Sequence, residues 1–106
     1  MKRYEIYVAR LNPVEGSEIG KTRPCVVVSL DALNSALPTV VVCPLITRLR
    51  PHWRSRLQVN CAGKPADICA EQIRVLSKTR LTKKIDVLSS REAAALRTLL
   101  TEMYGE

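Results

Sequence analysis

Gly16-Ser-Glu-Ile-Gly-Lys-Thr-Arg-Pro-Cys-Val-Val-Val-Ser29 is the stretch on which the fold turns. Up to Thr22 it resembles a glycine loop that cradles phosphate and opens a nucleotide-binding α/β unit. Such a loop places four residues between its glycines and runs its Lys-Thr into a helix whose first amides face the phosphates. Here only Ser17, Glu18 and Ile19 separate Gly16 from Gly20, and Lys21-Thr22 lead into Arg23-Pro24 and a valine run. Proline and consecutive β-branched residues predict a strand over Pro24–Ser29, so a nucleoside triphosphate site is excluded and the segment becomes loop followed by buried strand.

Outward from that strand, short β-like segments dominate. Tyr4, Ile6 and Val8 alternate with Tyr7, Ala9 and Leu11, the pattern of a strand over Tyr4–Leu11 covered on both faces. Asp31–Ser35 suggests a single helical turn, and Thr39–Ile46 a third strand whose Pro44 predicts an edge position or a bulge. Weaker strands are predicted at Arg56–Val59, at Asp67–Leu76 with a bend, and at Ile85–Leu88. Ser89-Ser-Arg-Glu92 fits a capping box, and Ala93, Leu96, Leu99, Leu100 and Met103 recur at helical spacing before Gly105. Strands followed by one amphipathic helix imply an α+β domain spanning 1–106: a small, strongly bent antiparallel sheet or half-open SH3-like barrel with a C-terminal α-helix.

The chain of 106 residues carries a net charge of +7. Residues 48–84 hold ten Lys and Arg against only Asp67 and Glu71, and the remainder is close to neutral. A basic block of this kind marks a surface that faces a polyanion. No apolar run nears the roughly 20 residues of a membrane-spanning helix, and the first residues lack a secretory pattern, so a cytoplasmic protein without a membrane role is expected. Cys25, Cys43, Cys61 and Cys69 form no CxxC pair and there is one histidine, His52. That spacing excludes a zinc site, and the cysteines are read as small buried hydrophobes. No metal or cofactor is called for, and an RNase working through two histidines is excluded.

If the strands at 24–29 and 39–46 pair antiparallel across residues 30–38, facing residue numbers sum to about 70, which sets Arg23 opposite Thr47. Opposed β-carbons in a ladder lie about 5 Å apart, so a guanidinium and a hydroxyl could hold one phosphate there. Arg48, Arg50, Arg54 and Arg56 are candidates to follow a nucleic-acid backbone, with Trp53 either stacking a base or packing on its own sheet. Lys21 joins them as a candidate contact, and Lys78 and Arg80 either reach phosphate or are solvated. Glu71 and Gln72 read bases or close a strand, while Glu18 is expected to brace its loop by accepting backbone amides, at the edge of the nucleic-acid surface.

Several ordered motifs then coincide. The opening strand with Leu11-Asn12-Pro13, Gly16-Ser17-Glu18, Gly20 and Arg23-Pro24 is followed by a strand ending Pro-Leu-Ile-Thr47. Glu71-Gln72-Ile73-Arg74 and Lys78-Thr79-Arg80-Leu81 complete the series. Together they resemble the MazF/PemK (Kid) toxins of bacterial toxin-antitoxin modules across almost the whole chain. The resemblance implies a homodimeric barrel of the CcdB/PemK type that cleaves single-stranded RNA, often mRNA, at short sequences without metal. It further implies a protein antitoxin as partner and places Arg23 and Thr47 at the catalytic positions. A gyrase poison of the CcdB type shares that fold, but its family tail Trp-Gly-Ile is absent from Met103-Tyr-Gly-Glu106. A non-catalytic nucleic-acid-binding barrel is the remaining alternative.

Overall fold

The computed structural model describes residues 1–106. Seven strands, β1 (Glu5–Arg10), β2 (Thr22–Val27), β3 (Thr39–Ile46), β4 (Arg56–Cys61), β5 (Lys64–Cys69), β6 (Arg74–Ser77) and β7 (Leu81–Val87), accompany helices α1 (Asp31–Ala36) and α2 (Ser90–Tyr104). They form one antiparallel sheet in the order β4-β5-β3-β2-β1-β7, with β6 also paired to β3. The expected bend lies at a 3-10 turn, Ala70–Gln72. It splits one predicted strand into β5 and β6, which share the same edge of β3: β6 pairs Thr39–Val42 and β5 pairs Leu45–Ile46. Pro44 falls between these two partners, where no ladder bond misses its absent N–H. It therefore lies in a central strand, not in the edge or bulge its sequence suggested.

Two cores explain why β1 alternates apolar residues on both faces. Ile6 packs with Val26, Leu45, Ile68, Ala93 and Leu96 on the side covered by α2. Ala9 and Leu11 pack with Cys25, Val27, Val42 and Leu81 on the other. All four cysteines are free and buried, as their apolar surroundings suggested. The sheet curls until its two ends meet: the Ala62 amide on the β4–β5 turn donates to Asp86 Oδ2 of β7 at 2.8 Å.

α2 starts with the expected capping box, in which Glu92 N donates to Ser89 Oγ at 3.1 Å and Ser89 N donates to Glu92 Oε1 at 3.0 Å. The other Glu92 oxygen accepts from Asn60 N at 2.9 Å, tying the helix start to β4. Ser89→Ala is expected to lower unfolding free energy by about 1 kcal/mol; a urea midpoint that does not move would show that the cap is redundant.

The glycine loop has a local explanation. Lys21 N donates to Asn12 Oδ1 at 2.9 Å and Leu11 N to the Lys21 carbonyl at 2.8 Å, folding the segment back on itself. A Cβ on Gly20 would lie 2.5 Å from Asn12 Oδ1, so the close approach needs glycine at that point. Glu18 Oε1 accepts from Glu15 N at 2.7 Å, the bracing role expected of it. No helix is long and apolar enough to cross a membrane.

Candidate functional site

β2 begins at Thr22, two residues earlier than its valine run suggests, so Arg23 is held inside the sheet opposite Ala9 of β1. On the other side the register is Cys25↔Pro44, Val26↔Cys43 and Val27↔Val42. Facing numbers sum to 69 and not 70; extended by two residues, this register sets Arg23 opposite Ile46. α1 and its flanking turns fill the connection, and their geometry sets the slip of one residue. Thr47 follows immediately, just beyond the end of β3.

Arg23 and Thr47 nevertheless line the same cavity, of about 190 Å³. Its remaining wall is largely apolar, with Leu45, Ile46, Ala66 and Ile85 among its members, and Lys64 is the one other cation on it. Arg23 forms no ion pair, and its Nε is buried without a hydrogen-bond partner. A buried polar group left unsatisfied costs about 1–3 kcal/mol, and more when charged, so proteins keep few of them. Thr47 is exposed at the cavity mouth. A guanidinium with a spare donor beside a hydroxyl, over a mostly apolar floor, suits an anionic oxygen that arrives from solvent.

Arg56 offers the contrast. Its side chain is only 8% exposed, and it does not stand free along a nucleic-acid track. Its Nε lies 2.9 and 3.0 Å from the two Glu71 oxygens and its Nη2 2.7 Å from Oε2, while Nη1 lies 3.9 Å from Asp67 Oδ2. Burial would raise the Glu71 carboxyl, but the Arg56 guanidinium holds it below the usual carboxylate range. The Arg56 Nη1 is also without a hydrogen bond, yet this arginine has two carboxylates beside it. Asp67, almost fully buried, accepts the Arg50 amide at 2.6 Å and so anchors the basic loop between β3 and β4.

In that loop Trp53 is half exposed, with the Arg56 guanidinium carbon 4.5 Å from its ring centroid and that of Arg50 5.6 Å away. The indole thus packs against Arg50 of the loop and Arg56 of β4, which orients it at low entropic cost. Arg54 pairs with Glu102 of α2. Arg48 is exposed and makes no ion pair.

Of the other candidates, Arg80 and Gln72 are turned towards the protein. Arg80 Nη1 donates to the carbonyls of Arg10, at 3.1 Å, and Asn12. Gln72 Oε1 accepts from Ile19 N at 3.3 Å, clipping the glycine loop to the 3-10 turn. Lys78 is half-buried and its amide donates to the Pro38 carbonyl at 3.0 Å. Lys21 is exposed at the loop's end with φ of 65°. Lys64 was not singled out from sequence; the Ala62-Gly63 turn before it was the available signal, since glycine there closes a hairpin that aims the next residue.

Comparison with known proteins shows what the chain resembles. The chain is 36% identical to Endoribonuclease MazF of Staphylococcus saprophyticus, over 99% of its own length and 92% of that protein. Its fold superposes on MazF from Deinococcus radiodurans with a TM-score of 0.87 at 20% identity, covering 100% of this chain and 97% of that one. A mycobacterial endoribonuclease in complex with its cognate antitoxin gives a TM-score of 0.83 at 20% identity, covering 99% and 95%. With residues 2–104 matching the family pattern as well, the chain belongs to the PemK-like, MazF-like toxins of type II toxin-antitoxin systems.

Proposed function

We infer that this toxin is an endoribonuclease that cuts single-stranded RNA, mRNA included, with the scissile phosphate held at Arg23 and Thr47. The observation that carries this reading is that Arg23, which makes no ion pair and keeps a buried Nε without a partner, lines one cavity with Thr47. The name of the staphylococcal relative supports it.

RNA carries its own nucleophile. The 2′-oxygen attacks the adjacent phosphorus and the 5′-oxygen departs, leaving a 2′,3′-cyclic phosphate and a 5′-hydroxyl end. The protein's task is then to neutralise charge on the non-bridging oxygens as phosphorus becomes five-coordinate. Arg23 does this with a fixed, permanently charged fork, and Thr47 orients a phosphate oxygen or the 2′-hydroxyl. The strand is tracked by Arg48 and Arg50, with Arg54, Lys21, Lys78 and Arg80 extending the basic surface, and Trp53 offers a ring face to a base. Glu18, Glu71 and Gln72 support that path: Glu18 braces the glycine loop, Glu71 holds Arg56, and Gln72 clips the loop to the 3-10 turn.

The same basic surface suits an acidic antitoxin segment lying over the RNA path. Residues 1–106 act as one toxin domain in the cytoplasm, paired as a homodimer for which exposed Leu30, Leu33 and Leu37 around α1 offer apolar surface.

Incubation with a long single-stranded RNA in EDTA is expected to give fragments with 5′-hydroxyl ends, and a copy with 2′-deoxyribose at the cut sites is expected to stay whole. Retarded but intact RNA would identify a binding barrel instead; cut deoxy substrate would contradict the ribose nucleophile.

A further inference from the structure

We propose that the Lys64 ammonium donates the proton that the departing 5′-oxygen needs. This rests on the endoribonuclease reading and adds a second reactive group to the Arg23 cavity. A primary alkoxide is a poor leaving group, and the cleavage step stalls unless its oxygen is protonated as the bond to phosphorus breaks.

Few side chains on the cavity can do this. Arg23 keeps its proton throughout. Thr47 offers a neutral hydroxyl, itself a very weak acid. Cys61 is buried, and that burial, with the Asp86 and Glu92 carboxylates, makes its thiol a weaker acid still. No carboxylate lines the wall. Lys64 is the remaining donor, and it is an exposed residue with no ion pair or side-chain hydrogen bond that would occupy its ammonium.

The backbone positions it. Ala62 and Gly63 both have positive φ, 50° and 81°, the conformation of a tight two-residue hairpin turn, and Cys61 pairs with Lys64 across it. The Ala62 amide is pinned by Asp86 Oδ2 from β7. Lys64 thus stands at a clamped hairpin end on β5 and Arg23 on β2, and the two residues line one cavity from different strands.

The step balances without a further reagent than water. The 2′-O–P bond forms as the 2′-hydroxyl proton passes to a water molecule. The P–O5′ bond breaks, its electron pair stays on the 5′-oxygen, and that oxygen takes a proton from Lys64 Nζ. Solvent then restores the ammonium.

Substituting sulfur for the bridging 5′-oxygen separates this role from simple charge, because a thiolate leaves without a proton. Two RNAs differing only in that atom would be cut by the parent protein, Lys64→Ala, Lys64→Arg and, for comparison, Arg23→Ala. On the oxygen substrate both Lys64 variants are expected to be slower by about a hundredfold or more. On the sulfur substrate they should approach the parent rate, while Arg23→Ala stays slow on both.

Parent-like rates for Lys64→Ala on the oxygen substrate would overturn the assignment. So would an equal defect on both substrates, or full activity of Lys64→Arg, which keeps the charge without a transferable proton. In each of these cases the parent protein still cuts RNA and the endoribonuclease reading stands. A parent protein that cuts neither RNA removes that reading as well.

Discussion

Arg23→Ala is expected to slow RNA cleavage at least about a hundredfold, the usual cost of losing one donor aimed at charge that develops in the transition state. Stability should stay within about 1 kcal/mol of the parent, because the residue makes no ion pair whose loss would strand a buried charge. Its Nε is in fact an unsatisfied donor in the free protein, and a group that lowers stability while contributing function is what a ligand site commonly contains. Arg23→Lys should recover little, since a point charge cannot reproduce the planar fork. Single-turnover rates and urea titrations of the same preparations check both halves. A folded Arg23→Ala protein cutting at the parent rate would remove Arg23 from the chemistry.

Arg56→Ala should behave in the opposite way, with a loss of about 3–5 kcal/mol in unfolding free energy. Removing this guanidinium leaves Asp67, 2% exposed at its side chain, and Glu71, 27% exposed, without the counter-ion they share. It also strips the cation nearest the Trp53 ring, at the start of β4. The same variant should therefore loosen the basic loop and weaken RNA binding in addition to lowering the urea midpoint. A loss under about 1 kcal/mol would mean that the pair is solvated in the native ensemble and behaves as a surface salt bridge. Two arginines, each with one buried nitrogen lacking a partner, are thus distinguished by their carboxylates: Arg23 has none in ion-pairing reach and Arg56 has two.

Much of the fold could be read from local chemistry. β1 was legible because both of its faces are buried, so its alternation carries two apolar sets. The start of α2 was legible because Ser89 and Glu92 satisfy each other's amides within four residues. β7 was seen only at its end, since Thr82, Lys83 and Lys84 are exposed and polar and join the sheet through backbone pairing with β1. Its strand state comes from the partner and leaves little trace in composition.

The site was legible in its members more than in its geometry. Pairing numbers brought Arg23 near Thr47, but the turn around α1 decides register, and a connection of nine residues does not reveal a slip of one. The buried Arg56, Asp67 and Glu71 were less accessible, because their partners lie 11 and 15 residues away in sequence and meet only when β4 and β5 pair. Residue type suggested that arginines after Thr47 face the nucleic acid. Burial divides them: Arg48 stands free, Arg54 holds Glu102, and Arg56 turns inward.

The most direct measurement is a crystal structure of the protein with a short RNA carrying 2′-deoxyribose at the cleavage site, which blocks attack while preserving the phosphate. A non-bridging oxygen of that phosphate is expected within about 2.7–3.2 Å of the Arg23 guanidinium, with the Thr47 hydroxyl on the same group or on the adjoining sugar. A scissile phosphate bound elsewhere, with the Arg23 guanidinium making no contact to it, would contradict the account.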